Sequence, residues 1–167
     1  MEAIYVRSKK IRNLTAGGML GALVAVCTAY VSVPIAGGYF HPGDALIALS
    51  GCLLGPYAAI PAAIGSCMAD LLAGYAIYAP FTFVIKGLLG LIAGWGFYSD
   101  KVGIRAALML ILGGVLIVGG YFLTDCILYS TATALISIPW NVLQALVFIV
   151  SGAVCLGSGL RNFMDKG

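Results

Sequence analysis

Long apolar runs dominate the sequence and constrain its fold more than any other feature. A helix that crosses a bilayer needs about 20 apolar residues. Four of the six runs reach that length, and the two short ones are separated only by Gly55-Pro56, where Pro56 suits the first turn of a new helix. The sequence therefore predicts an all-α integral membrane protein, with residues 1–167 forming one domain of six transmembrane helices. We expect these helices at Arg12–Val31, Asp44–Gly55, Tyr57–Gly74, Pro80–Ser99, Ile104–Asp125 and Pro139–Leu160.

The composition supports a membrane protein. Hydrophobic residues make up 62% of the chain and charged residues 9%, whereas a soluble domain carries about 25% charged residues. The first apolar run is about twenty residues long and is followed by only a weak cleavage pattern, so we interpret it as a permanent helix and not a signal peptide.

The basic residues predict the orientation. All but one of them precede the first run, lie between the fourth and fifth, or follow the sixth, and with six spans these places share one side. The positive-inside rule puts that side, with both termini, in the cytoplasm. The net charge of +3 is thereby explained by topology and contact with anionic lipid, and no nucleic-acid partner is indicated. These basic residues are Arg7, Lys9, Lys10, Arg12, Lys101, Arg105, Arg161 and Lys166.

Four charged residues do not follow this topology: Asp44, Asp70, Lys86 and Asp125. Ionisable residues inside a membrane are expensive and usually functional. Counting along the helices places Asp70 about 6 Å and Lys86 about 9 Å in from the same side. We therefore expect a structural ion pair between Asp70 and Lys86, which would join the third helix to the fourth.

Aromatic and polar side chains gather at the same level, in the outer half of the predicted bundle. An interfacial aromatic belt would account for many of the tyrosines and tryptophans, but not for Asn141 and Gln144, which share one helical face. The concentration predicts an outward-facing pocket for a small polar aromatic molecule. The predicted substrate-binding residues are Tyr39, His41, Phe81, Lys86, Tyr121, Asp125, Asn141 and Gln144.

The first helix carries a stripe of small residues. Such a stripe allows the close approach of another helix in lipid. Packing within the chain and contact with another subunit both remain open, and we interpret the stripe as a partner interface. Its members are Gly17, Gly18, Gly21, Ala22 and Ala25.

No catalytic residues, metal site or cofactor are predicted. The five cysteines form no C-x-x-C pair, and no P-loop, H-E-x-x-H or G-x-S-x-G motif occurs. Two other functions remain open. One is a stand-alone secondary transporter driven by protons or sodium through Asp70 or Asp125, and the other is a small intramembrane enzyme with Asp and His as acid and base.

The central region resembles the substrate-binding S components of energy-coupling factor (ECF) vitamin transporters. The similar segment reads "GDALIALSGCLLGPYAAIPAAIGSCMADLLAGYAIYAPFTFVIKGLLGLIAG". The segment "IPWNVLQALV" is similar to the run that opens the family's last helix. In "GGMLGALVAV", Gly18 and Ala22 occupy the positions of the family's Ala-x-x-x-Ala motif, with a glycine in place of the first alanine.

This resemblance implies a six-helix protein of the prokaryotic cell membrane that binds a vitamin or precursor at its outer side. It would not be an enzyme. It would dock through its first helix on a transmembrane T subunit coupled to two cytoplasmic ATPases, which explains the missing P-loop. The branch that it resembles includes proteins for hydroxymethylpyrimidine, pyridoxine and riboflavin. We rank pyridoxine or hydroxymethylpyrimidine above riboflavin, because many rings and few polar groups favour a single-ring ligand.

Overall fold

The computed structural model describes residues 2–35, 38–97 and 103–158, with side chains from residue 10 onward. Six α-helices and one small antiparallel β-hairpin make up this part of the chain. Strands β1 and β2 lie between the first two helices, and a short 3₁₀ turn at Gly55–Ala58 joins the second to the third. The elements are α1 Glu2–Tyr30, β1 Val33–Ile35, β2 Gly38–Phe40, α2 Asp44–Leu54, α3 Ala59–Leu72, α4 Ala79–Phe97, α5 Ile104–Leu128 and α6 Thr131–Gly157.

The last helix begins eight residues before the predicted start at Pro139. Ser130 caps it, because the Ser130 hydroxyl accepts a hydrogen bond from the Thr133 backbone N–H at 3.2 Å. Pro139 therefore lies inside α6 and not at its start. A proline within a helix removes one backbone hydrogen bond, which transmembrane helices tolerate better than exposed ones. The loop predicted between α5 and α6 shrinks to two residues.

Helices α2 and α3 fold back on each other as a hairpin. Gly55 adopts φ 59° at the turn, a backbone conformation that glycine accepts without strain. The turn packs against Gly94 near the end of α4, whereas the start of α2 reaches Lys86 nearer the beginning of α4. Asp44 and Asp70, at the two ends of the hairpin, consequently lie at the same end of the bundle.

Five segments of the described chain are long and apolar enough to cross a membrane, and α2 with α3 counts as one of them. At 11 and 14 residues, each of these two helices is shorter than the roughly 20 residues of a full span. The prediction of six transmembrane helices therefore stays a prediction. The five segments are Lys10–Tyr30, Asp44–Leu72, Ala79–Phe97, Ile104–Leu128 and Thr131–Gly157.

All six helices contribute to the core, which separates two different ends of the bundle. Val24, Ile47, Leu89, Ile117 and Phe148 are fully buried in it. On one side of this layer, a cluster of buried polar residues lies beneath the β-hairpin. We call this end of the bundle the cavity end. The opposite end carries the starts of α1 and α5.

Several of the basic residues used to predict orientation lie outside the described part of the chain. They are Lys101, Arg161 and Lys166, and the side chains of Arg7 and Lys9 are likewise not described. Lys10, Arg12 and Arg105 are described, and all three lie at the end of the bundle away from the β-hairpin, near the starts of α1 and α5.

Candidate functional site

A small cavity of about 30 Å³ lies under the β-hairpin at the cavity end. A single water needs at least about 10–15 Å³ by this kind of measure, so the cavity accommodates two or three waters at most. Pockets that bind organic molecules usually enclose about 300–1,000 Å³. The cavity is therefore too small, as the structure has it, for an organic ring. The lining residues are Ile35, Gly38, Tyr39, His41, Asp70, Tyr78, Thr82, Tyr121, Asp125, Ser137, Asn141 and Gln144.

The β-hairpin forms the roof of this cavity, and contacts of Tyr39 attach the hairpin to the helices. The Tyr39 hydroxyl donates to Asp70 Oδ1 at 2.5 Å, and Gln144 Nε2 donates to the Tyr39 carbonyl at 3.4 Å. The Tyr39 ring also packs on Tyr75, with 4.7 Å between ring centroids. Burial, together with the nearby charge of Asp70, raises the pKa of Tyr39, so its hydroxyl stays protonated as a donor.

The ion pair beneath the cavity joins Lys86 to Asp44. Lys86 Nζ lies 2.6 Å from Asp44 Oδ1 and 2.8 Å from Oδ2, and both side chains are fully buried. Gln144 Oε1 is 3.5 Å from the same ammonium, and the Tyr121 ring centroid is 5.0 Å away. The pair is neutral overall, with its remaining donors directed at polar or aromatic partners, as a buried charge pair requires.

The predicted ion pair between Asp70 and Lys86 is therefore wrong, because Lys86 pairs with Asp44 instead. Both residues do lie towards the cavity end, as their depth along the helices indicated. However, α2 begins beside the middle of α4, and this places the Asp44 carboxylate directly on the Lys86 ammonium. Asp70 instead binds the Tyr39 hydroxyl on the hairpin.

A second carboxylate, Asp125, joins three elements at the side of the cavity. The Tyr78 hydroxyl donates to Asp125 Oδ1 at 2.6 Å, and the Ser137 hydroxyl donates to Oδ2. Tyr78 lies just before α4, Asp125 near the end of α5, and Ser137 in the second turn of α6. Asp125 is 3% exposed, so these two hydroxyls replace the water that it would bind if it were exposed.

Two polar atoms at the cavity have no hydrogen-bond partner, namely Asp70 Oδ2 and Asn141 Nδ2. Their side chains are 3% and 5% exposed. Leaving a buried donor or acceptor unpaired costs about 1–3 kcal/mol. The cavity thus presents one free acceptor and one free donor to whatever enters it.

Six of the eight predicted substrate-binding residues line the cavity: Tyr39, His41, Tyr121, Asp125, Asn141 and Gln144. Lys86 lies beneath it and forms an ion pair with Asp44. Phe81 does not line it. The next residue, Thr82, does, and one step along a helix turns the side chain by about 100°.

Sequence reasoning missed the role of several lining residues: Ile35, Gly38, Asp70, Tyr78, Thr82 and Ser137. Two of them carried a usable signal. Thr82 lies four residues before Lys86, and Ser137 four before Asn141, so each shares a helical face with a residue that had been singled out. In the described part of the chain, no group of three or more His, Cys, Asp or Glu residues is arranged to hold a metal ion.

A second, larger feature is an open apolar groove of about 860 Å³ between α1 and α3. All five residues of the small-residue stripe line it. The stripe has two parts. A Cβ placed on Gly21 would lie 3.4 Å from Pro61, so Gly21 packs within the chain, whereas Gly18 has no such neighbour within 4 Å and is exposed.

Comparison with known proteins gives a relative in Pyrococcus woesei, described as "Uncharacterized protein in gap 3'region". The two sequences are 36% identical over 146 residues, which is 86% of this chain and 95% of the relative. The match extends over nearly the whole of both chains, and the relative's description names no activity.

Residues 8–161 match the family described as "ECF-type riboflavin transporter, S component", which covers all six helices and the cavity. The family agrees with the polar cavity and the apolar helices found here, since S components are membrane proteins that bind a small substrate. This chain belongs to the family of ECF-type riboflavin transporter S components and is the substrate-binding subunit of a vitamin transporter.

Proposed function

We propose that this protein captures a small aromatic vitamin or precursor for an ATP-driven ECF transporter of the prokaryotic plasma membrane. Pyridoxine or hydroxymethylpyrimidine is the first choice of substrate, and riboflavin the second. The observation that carries the proposal is the cavity under the β-hairpin, where tyrosine rings and partnerless polar atoms meet in an otherwise apolar bundle. Such a mixture of aromatic area and a few polar groups is typical of small-molecule sites.

The proposed orientation places the cavity end outside the cell. Lys10, Arg12 and Arg105 lie towards the opposite end of the bundle, and basic residues favour the cytoplasmic side. In this arrangement all six α-helices take part in the membrane domain, both termini are cytoplasmic, and the α2–α3 hairpin supplies the two short spans. A substrate would then enter from outside, at the side of the bundle that the β-hairpin covers.

Substrate binding requires the roof to move, because a cavity of about 30 Å³ is too small for a ring. Opening breaks few polar contacts. The hydrogen bonds that hold Tyr39 to the bundle go to Asp70 and Gln144. We propose that the substrate ring displaces the Tyr39 side chain, which then releases Asp70 to bind the substrate.

The proposed partner face is the groove between α1 and α3, where Gly18 and Ala22 are exposed. In lipid, close helix contact depends on small residues, because there is little hydrophobic drive between helices. A helix of the membrane-embedded T subunit would fit this groove. Two ATPase subunits bound to the T subunit would supply the energy.

The experiment is reconstitution of the purified chain in liposomes, alone and with its T and ATPase subunits, followed by uptake of radiolabelled pyridoxine and hydroxymethylpyrimidine. We expect ATP-dependent uptake by the full complex and none by the chain alone. The control replaces the ATPases with variants unable to hydrolyse ATP. Uptake by the chain alone in a proton or sodium gradient would contradict the proposal and establish a secondary transporter.

A further inference from the structure

The cavity is lined by more acidic than basic side chains. Two carboxylates line it, Asp70 and Asp125, and the described residues that line it include no Lys or Arg. Lys86 lies beneath, but its charge is matched by Asp44, on which it makes both of its short contacts. Among the described lining residues, His41 is the one with a basic side chain.

His41 does not offset these carboxylates. Its Nδ1 accepts a hydrogen bond from the Gly43 backbone N–H at 3.2 Å, which requires that nitrogen to be unprotonated. Burial and the nearby Lys86 charge lower the pKa of His41, so the ring is neutral at physiological pH. The hydrogen bonds of Asp70 and Asp125 come from hydroxyl groups, which carry no charge.

The aromatic residues around these carboxylates also favour a cation. Tyr39, Tyr78 and Tyr121 line the cavity together with the two aspartates. Tyrosine faces attract cations through the ring quadrupole, and the attraction grows when the cation is removed from water. Carboxylates and tyrosine rings around one cavity are thus complementary to a positively charged group.

The two polar atoms without a partner determine which hydrogen-bonding groups a ligand must carry. Asp70 Oδ2 lacks a donor and Asn141 Nδ2 lacks an acceptor, and both side chains are more than nine-tenths buried. A ligand that satisfies both must carry a donor at one edge and an acceptor at another. A hydroxyl or carbonyl group would serve as the acceptor for Asn141.

We infer that the substrate is a positively charged single-ring heterocycle, which presents a protonated nitrogen to Asp70 and an oxygen acceptor to Asn141. Asp125 and the tyrosine rings complete the recognition of the charge. This inference rests on the proposed function, since it assigns a chemical class to the substrate of the same cavity. A neutral, larger ring system such as riboflavin leaves both carboxylates without a counter-charge and binds more weakly.

The test uses two compounds that differ mainly in charge. Pyridoxamine carries an aminomethyl group, protonated at pH 7, where pyridoxine carries a hydroxymethyl group on the same ring. We expect the purified wild-type chain to bind pyridoxamine at least about tenfold more tightly than pyridoxine or riboflavin, because hydrogen bonds to charged groups are the stronger ones. This comparison needs no variant and therefore does not depend on a variant's folding.

A substitution then assigns the preference to a residue. Asp70→Asn keeps the shape and removes the charge, and we expect it to reduce the preference for pyridoxamine to about twofold or less. Asn13→Asp, on α1 away from the cavity, is the control and should leave the preference unchanged. Thermal unfolding in detergent checks that both variants are folded.

The failure of this inference is distinct from the failure of the proposed function. Binding of pyridoxine or riboflavin as tightly as pyridoxamine would overturn the inference and leave the proposed function standing. A preference for pyridoxamine that survives in a folded Asp70→Asn variant would overturn the role of Asp70. If neither these three compounds nor hydroxymethylpyrimidine binds, both the inference and the proposed substrate class are wrong.

Discussion

Lys86 Nζ lies 2.6 Å from Asp44 Oδ1, although the two residues are 42 positions apart in the chain. Both are fully buried. The contact fixes the start of α2 to the middle of α4, directly beneath the cavity. Either charge would be buried without a counter-charge if the other were absent.

The first prediction is that removing one member of the pair harms the protein more than removing both. Lys86→Met leaves Asp44 buried without a counter-charge and should cost about 3–5 kcal/mol, whereas Lys86→Met with Asp44→Leu should recover much of that loss. The measurement is thermal unfolding in detergent. Arg105→Met, at an exposed position, is the control. A single variant as stable as the double variant would contradict the prediction.

The second prediction concerns the turn between α2 and α3. A methyl group on Gly94 would collide with the backbone of Gly55 and Pro56, so Gly94→Ala should force the turn away from α4 and destabilise the protein by at least about 1–3 kcal/mol. The matched control is Gly119→Ala, because no such neighbour lies within 4 Å of the added methyl. Equal unfolding temperatures for the two variants would show that the turn does not pack as described.

The third prediction separates the two parts of the small-residue stripe. Gly18→Leu places a side chain in the open groove and should abolish copurification with the T subunit, without loss of stability or substrate binding. Gly21→Leu should instead destabilise the isolated chain, because the position is already in contact with Pro61. The readouts are pull-down yield and thermal unfolding. Normal copurification of Gly18→Leu would exclude this face as the docking site.

The fourth prediction concerns α6. Asn141→Ala with Gln144→Ala removes the unpaired donor and one of the hydrogen bonds that hold the hairpin. Loss of buried hydrogen bonds costs about 1–3 kcal/mol each, so ligand affinity should fall by about tenfold or more. Titration calorimetry measures the change, with Asn13→Ala as the control. An affinity within about twofold of wild type would place the ligand elsewhere.

Much of this architecture could be predicted from the sequence, because apolar length and turn chemistry are local properties. Gly55-Pro56 marked the break between α2 and α3, and the structure has a hairpin turn there. The predicted start of α6 was wrong because Pro139 also suits a helix's first turn, although Ser130 carried the capping signal.

The partner of Lys86 could not be predicted in the same way. Depth along a helix placed Asp44, Asp70 and Lys86 near one end of the bundle, but a choice between the two aspartates requires the direction in which each side chain points. That direction is set by the packing of α2 on α4 and by the Tyr39 hydroxyl, which binds Asp70 across 31 residues. The β-hairpin was likewise missed, since its two strands have only three residues each.

The central claim is that the cavity beneath the β-hairpin binds the substrate, and the small molecule that copurifies with the protein tests it most directly. Wild-type protein is extracted in mild detergent, denatured, and the released molecules are identified and quantified by mass spectrometry. We predict about one equivalent of a single-ring nitrogen heterocycle per chain, and a strongly reduced amount from the variant that carries Asn141→Ala and Gln144→Ala. An equal amount released from that variant, or no such heterocycle from wild-type protein, would contradict the account.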